Sequence, residues 1–232
     1  MRFPTPDPGV AKGTDGAPAV RLAWVARVVG RLMAAYVEIL VRTCRFEGAL
    51  TGEQAVVAVW HEANVIGLVA ALMRRRSVPH ASFSTQGFRG VVITTLLAHF
   101  GIRVLPLPAE EDRAAARSLS LRIARLAAAG YAIGVTCDGP FGPPRVAKPG
   151  ALLIAREAGI PVVTLAPGAR PAIRLRRWDR HIVPLPFARI WAESGRTFGV
   201  PPRTPITRAL VAELTEELNR LADANERRMQ AR

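Results

Sequence analysis

A chain of 232 residues suits one sizeable domain with a single core. Half of its residues are hydrophobic, and its Leu, Val, Ala and Ile are spread along its length, which excludes a disordered polymer for most of it. The formal charge of +14 directs it toward anionic surfaces, nucleic acid and anionic lipid alike, and nearly all of it is arginine, Lys12 and Lys148 being the only lysines. An arginine-rich proteome would leave the same bias, so charge alone decides little.

In chain order, Met1 to Ala19 mixes Pro, Gly, Asp and Thr without periodicity and reads as a flexible arm; no apolar run follows a basic patch there, so no secretory signal is expected. Val20 to Thr43 is apolar but interrupted. At about 100° per residue, Arg27, Arg31, Glu38 and Arg42 share one narrow face, opposite Leu22, Trp24, Val25, Val29, Leu32, Met33 and Val37. A spanning helix needs about 20 largely uncharged residues, so residues 20–43 are read as an amphipathic helix lying on the membrane surface, with packing on the domain core as the alternative that periodicity leaves open. Residues 44–232 then form the main domain.

Within it, the valine-rich Ala55 to Trp60 predicts a buried strand, and Glu62 to Met73 a helix. Ala81 to Ser84 and Ile102 to Leu107 predict strands around a helix at Val91 to Phe100. A longer helix follows from about Glu111 to Ala129, acidic at its start and basic further on, as the helix dipole favours. Tyr131 to Thr136 is a strand, Gly150 to Ala158 a helix, and Ile160 to Ala166 a strand. The last helix is expected from Pro205 to about Arg227, capped by Thr204. This succession predicts an α/β fold: a single domain with a mixed, mostly parallel sheet flanked by helices.

In such folds ligands bind beyond the carboxyl ends of the strands, where this chain places His61, Ser84 and Asp138. The first motif is Val59-Trp60-His61-Glu62-Ala63-Asn64. A neutral imidazole directly after a buried strand has the proton affinity that a general base for a hydroxyl requires, although a lone histidine in that position more often merely hydrogen-bonds a loop carbonyl. The second motif runs from Thr136 through Asp138-Gly139-Pro140-Phe141-Gly142-Pro143-Pro144-Arg145 to Lys148-Pro149-Gly150. Its Gly and Pro density makes a rigid loop with exposed N–H groups, and Arg145 and Lys148 offer positive charge to a phosphate or carboxylate.

Together these motifs resemble the lysophospholipid acyltransferase-like family, most closely a bacterial branch that carries W-H, then D-G-P-x-G-P, then lysine-proline-glycine and a helix. The likeness extends from about Val20 to Gly199 and includes Gly159 to Val163 and Arg177-Trp178-Asp179-Arg180. It implies transfer of a fatty acyl group from acyl-CoA or acyl carrier protein to the hydroxyl of a lysophospholipid or related glycerolipid. It further implies His61 as base, Asp138, Gly139 and Arg145 in the block that handles the acceptor, with Ser84, Pro140 and Lys148 as further substrate-binding candidates, and no cofactor beyond the acyl donor. The expected setting is peripheral, on the cytoplasmic face of the inner membrane, with membrane lipids as partners and no nucleic acid.

The chain departs from the family in one consequential place. The family's histidine has an aspartate five residues on, where this chain has Ile66, and a base without an orienting carboxylate loses tautomer control and imidazolium stabilisation. Asp138, at a neighbouring strand end, is the favoured substitute, ahead of Glu62. The same departure motivates an alternative, a lipid-binding protein of the same fold with reduced catalysis. His80, His99 and His181 read as surface or loop residues, Arg174, Arg176 and Arg177 as a basic cluster, solvated or touching lipid phosphates. Cys44 and Cys137 lack the spacing of a disulfide scaffold or structural zinc site, and no metal-ligand spacing, P-loop, dinucleotide fingerprint or GxSxG elbow occurs.

Overall fold

The computed structural model describes residues 16–48, 50, 53–74, 78–108, 113–139 and 142–230. Its elements in chain order are α1 (Gly16–Thr43), β1 (Arg45–Glu47), β2 (Val56–Val59), a 3-10 turn (His61–Ala63), α2 (Asn64–Met73), β3 (His80–Ser84), α3 (Gly87–His99) and β4 (Arg103–Pro106). There follow α4 (Arg113–Ala128), β5 (Ala132–Thr136), α5 (Gly150–Ala158), β6 (Val162–Arg174), β7 (Ile182–Phe198) and α6 (Arg208–Gln230). The seven strands form one sheet in the order β1-β7-β6-β2-β5-β3-β4.

Parallel pairing joins β6, β2, β5, β3 and β4, while β7 runs antiparallel to β6 and carries β1 parallel to itself. The chain steps outward from β2 to β3 and β4, then returns through β5 to β6, crossing β2 on the way. Right-handed crossovers change sheet face when the direction reverses. Accordingly α1, α2 and α3 bury Val37, Leu40, Ile66, Val69 and Leu96 on one face. On the other, α4, α5 and α6 bury Ile123, Leu152, Leu214 and Leu218. The reversal straddles β2, so the crevice at its carboxyl end is where this topology leaves room for a ligand.

Two elements differ from the sequence expectation in ways that matter. Strand β6 was expected to stop at Ala166, where Pro167, Gly168 and Pro171 read as breakers; instead it runs on to Arg174 against β7. The ladder accommodates Pro171 at a register shift between Arg170 and Ala172. Gly168 is required by close approach, because a Cβ there would lie 2.6 Å from the Trp191 ring. Val56 pairs with Val162 and Ala58 with Thr164, so the starts of β2 and β6 are level; because β2 ends at Val59 while β6 continues to Arg174, the β6–β7 hairpin overhangs the carboxyl edge of the central strands. Helix α6 begins at Arg208, capped by Thr207, whose Oγ1 accepts the Leu210 N–H at 3.2 Å, rather than by Thr204.

Helix α1 starts at Gly16, so the expected arm to Ala19 is shorter, and its residues 1–15 lie outside the described residues. The apolar side of this helix divides. Ala26, Ala34, Val37 and Leu40 are buried against the domain, while Leu22, Trp24, Val25, Leu32 and Ile39 are exposed. Among the described residues no helix is long and apolar enough to cross a membrane.

Candidate active site

His61 stands just past the carboxyl end of β2, separated from Val59 by Trp60, and opens the 3-10 turn. Its backbone is held on both sides. The His61 N–H donates to Asp138 Oδ1 at 2.8 Å, and its carbonyl accepts from the Asn64 N–H and from His181 Nδ1, the latter at 3.1 Å. On the side chain, Nδ1 lies 2.9 Å from Asp179 Oδ2. A carboxylate only accepts, so Nδ1 carries the proton and Nε2 presents its lone pair. The Trp178 ring packs against the imidazole at 5.3 Å between centroids. The His61 side chain keeps 24% of its exposure whereas that of Asp179 keeps none, so a reachable imidazole is bonded to a buried carboxylate.

Asp179, Trp178 and His181 all come from the tight turn that joins β6 to β7. The Arg180 N–H closes onto the Arg177 carbonyl at 3.1 Å and the Leu175 N–H onto the His181 carbonyl at 2.8 Å. The overhanging hairpin therefore delivers a carboxylate to His61 from more than a hundred residues away. The carboxylate at the His61 ring, expected to be Asp138, is Asp179. Asp138 does meet His61, but at the main chain: its Oδ1 takes the His61 N–H and its Oδ2 the Arg145 N–H at 3.1 Å, while the ring Nδ1 is bonded to Asp179. Position 66 could not have served either, because Ile66 is fully buried in the apolar cluster beneath α1.

The other sequence candidates divide. Gly139 lies beside His61: a Cβ there would sit 3.0 Å from Thr136 Oγ1 and 3.5 Å from His61 Cδ2, so the absent side chain keeps the edge of the imidazole clear. Pro140 lies outside the described residues. Arg145 is not open to an anion, contrary to expectation. Its guanidinium donates to Glu62, at 2.7 Å in the shortest contact, and to Asp223 and Glu226. Burial works to lower its pKa, yet these carboxylates, Glu62 foremost, hold it above its ordinary value. Arg174 joins the same network through Glu62 and Glu226, so it too is engaged within the protein rather than solvated. Lys148 is exposed, its N–H donating to the Cys137 carbonyl ahead of α5. Ser84 ends β3, two strands from β2, and its buried hydroxyl meets Thr94 Oγ1 of α3 at 3.2 Å.

His181, expected at the surface, is buried beside His61, and burial pushes its pKa down against the pull of Asp179. His99 bonds Glu38 of α1, and His80 opens β3. Burial, reinforced by the Asp138 carboxylate, pushes the Cys137 thiol up to about 12, which suppresses the thiolate a nucleophile needs. His61, Asp179 and His181 each offer one ligand atom within 4.8 Å of one another, the set among the described residues able to hold a metal ion; spacing in the sequence gave no sign of it because the residues come from two distant segments. The hydrogen bonds already named account for the grouping without an ion. Beside the turn a cleft of about 510 Å³ is walled by Arg174, Arg180, Ile182 and Met229.

Fold and site together describe an α/β domain with a histidine–aspartate pair at the carboxyl edge of its sheet. No family model matches the chain. An uncharacterized protein of Rickettsia prowazekii (strain Madrid E) is 30% identical over 140 residues, which is 60% of this chain and 61% of that protein. The chain thus spans about three fifths of the length of the curated relative it matches. Among solved structures, the 1-acyl-sn-glycerophosphate acyltransferase PlsC of Thermotoga maritima superposes with a TM-score of 0.49 at 15% identity, over 94% of this chain and 86% of that one.

Proposed function

We propose that the protein is an acyltransferase acting on a glycerolipid acceptor, with His61 as general base and Asp179 as its orienting carboxylate. The observation that carries this reading is the 2.9 Å bond from His61 Nδ1 to the buried Asp179, which supplies the one component that the W-H and D-G-P motifs lacked. In the reaction, Nε2 removes the proton from the acceptor hydroxyl as its oxygen attacks the thioester carbonyl of acyl-CoA or acyl carrier protein. The imidazolium so formed is stabilised by Asp179, and its proton passes to the departing thiolate as the tetrahedral intermediate collapses to ester and free thiol. The neighbouring cleft, cationic at Arg180 and apolar at Ile182 and Met229, suits an acidic amphiphile.

The same reading puts the protein at a membrane surface, where such acceptors reside. The exposed stripe of Trp24, Val25, Leu32 and Ile39 on α1, flanked by exposed Arg27 and Arg31, has the composition of an interfacial helix. Phe187 extends it: 77% exposed, it is held in a left-handed conformation at φ 66°, with its N–H donating to Thr43 Oγ1 at the end of the same helix. The test is transfer of labelled acyl groups from acyl-CoA and from acyl carrier protein to a panel of lysophospholipids and glycerol phosphate, wild type beside His61→Ala. A fall of about 100-fold or more, as for loss of a general base, supports the proposal; equal rates, or none from the wild type, refute it.

A further inference from the structure

The polar atoms of His61 are accounted for in an unusual way. Its N–H is bound by Asp138, its Nδ1 by Asp179, and its carbonyl twice, by the Asn64 N–H and by an imidazole. Only Nε2 lacks a partner among the described residues. A carbonyl in the first turn of a helical segment normally needs no second donor, so the buried His181 at that position calls for an explanation. We infer that His181 is a positioning residue for the base, fixing the His61 carbonyl and thereby the direction in which the imidazole leaves the chain; this rests on the acyl-transfer reading of His61.

The chemistry of the contact is one-sided. The His61 carbonyl oxygen only accepts, so His181 Nδ1 carries the proton. That nitrogen is 3.6 Å from Asp179 Oδ2, beyond hydrogen-bond range, so the Oδ2 lone pairs remain with His61. The rings of His61 and His181 meet edge to face, 6.0 Å apart at 62°. The charged and titratable groups that face His181 are Asp179, His61 and Arg177, and burial keeps its imidazole uncharged, so it adds no positive charge beside the imidazolium that forms on His61 during turnover. Its own main chain is anchored where β7 begins, through the Leu175 N–H on its carbonyl, giving the base a support rooted in the sheet. A reacting group displaced by about 1 Å costs roughly 100-fold, and loss of one such support displaces it by less.

The experiment compares His181→Phe, which keeps the ring and removes the donor, with His181→Asn, whose amide N–H replaces Nδ1–H. Steady-state transfer is measured together with the imidazole signals of His61 by 15N NMR in the full-length protein. The expected result for His181→Phe is a fall in kcat of about tenfold, with KM within about twofold and altered His61 Nδ1–H signals. His181→Asn should return kcat to within about threefold of wild type and restore those signals. Wild-type kcat and unchanged His61 signals in His181→Phe would overturn the inference, as would equal impairment of the two variants at wild-type thermal stability, which assigns His181 to packing. Should no protein, wild type included, transfer acyl groups, the acyl-transfer reading fails, while the NMR comparison still decides whether His181 positions His61.

Discussion

Asp179→Asn isolates the element on which the chemical reading depends. The carboxylate is fully buried, it accepts from His61 Nδ1 at 2.9 Å, and its Oδ1 has no hydrogen-bond partner among the described residues. An amide of the same shape either accepts from Nδ1–H as a neutral group or turns its NH2 toward the ring and forces the wrong tautomer. A hydrogen bond to a charged group is worth about 1.5–3 kcal/mol, and about 1.36 kcal/mol is tenfold in rate, so kcat should fall roughly 10- to 150-fold. The fold should not suffer. A buried, incompletely bonded charge has a desolvation cost that the amide lacks, and the thermal midpoint of Asp179→Asn is therefore expected to equal or exceed that of wild type. Transfer to the lysolipid panel and a thermal melt give both values. In the double variant with His61→Ala the two losses should not multiply, because an orienter has nothing to orient once the base is gone. Activity within threefold of wild type, or losses that multiply, would refute the dyad.

Asp138→Asn should behave in the opposite way. Both carboxylate oxygens accept buried main-chain N–H groups, an amide can satisfy only one, and the orphaned donor costs about 1–3 kcal/mol; differential scanning calorimetry should show a midpoint lowered by roughly 2–4 °C per kcal/mol at this chain length. Replacing Trp24, Leu32 and Phe187 together by serine removes three exposed apolar side chains, and since a fully buried one contributes roughly 1.5–3 kcal/mol, sedimentation with anionic vesicles should weaken at least about tenfold while the thermal midpoint holds; unchanged sedimentation would remove the α1 stripe from the membrane contact. Cys137 should resist alkylation in the folded protein at pH 8–9 and react once unfolded. Its thiol is raised from an ordinary value of 9.0 to about 12, so the unfolded chain loses that proton first, and stability present below pH 9 should decline between pH 9 and 12, as a chemical denaturation series across that range would register.

Much of the fold was legible because apolar runs and turn residues fall where the elements are. The helix at Gly150–Ala158 matches its expected bounds, and β2, β3, β4 and β5 lie within or beside their predicted runs. The largest misses share a cause. The far half of β6 and all of β7 contain Pro167, Gly168, Pro171, Pro184, Pro186 and Gly195, which local rules read as breaks, whereas the long hairpin tolerates them through register shifts and a close-packed tryptophan. His61 meets a carboxylate at its ring through Asp179, whereas Asp138 was chosen on strand-end proximity, which fixes distance and not which atom of His61 is met. Asp179 could have been suspected only from its inclusion in the Arg177-Trp178-Asp179-Arg180 stretch, because no spacing rule links it to His61.

That failure explains how Ile66 and Asp179 fit into one structure. At the start of α2 the fifth position after His61 turns inward into the apolar cluster that also holds Val37, Leu40 and Val69, where a carboxylate would be buried among apolar side chains at several kcal/mol. Packing α1 tightly against this face therefore conflicts with an aspartate at position 66. The hairpin overhang removes the conflict by approaching His61 from beyond the carboxyl edge, where its turn bonds Asp179 to His61 and brings Arg177 within 3.5 Å of the second carboxylate oxygen. What orients a histidine is a carboxylate at its Nδ1, and the fold is free to deliver that group from whichever segment reaches the atom. The extended β6–β7 hairpin and the apolar α2 are thus two consequences of one arrangement, with the sheet edge positioning His61, the core claiming residue 66, and the overhanging turn supplying the charge.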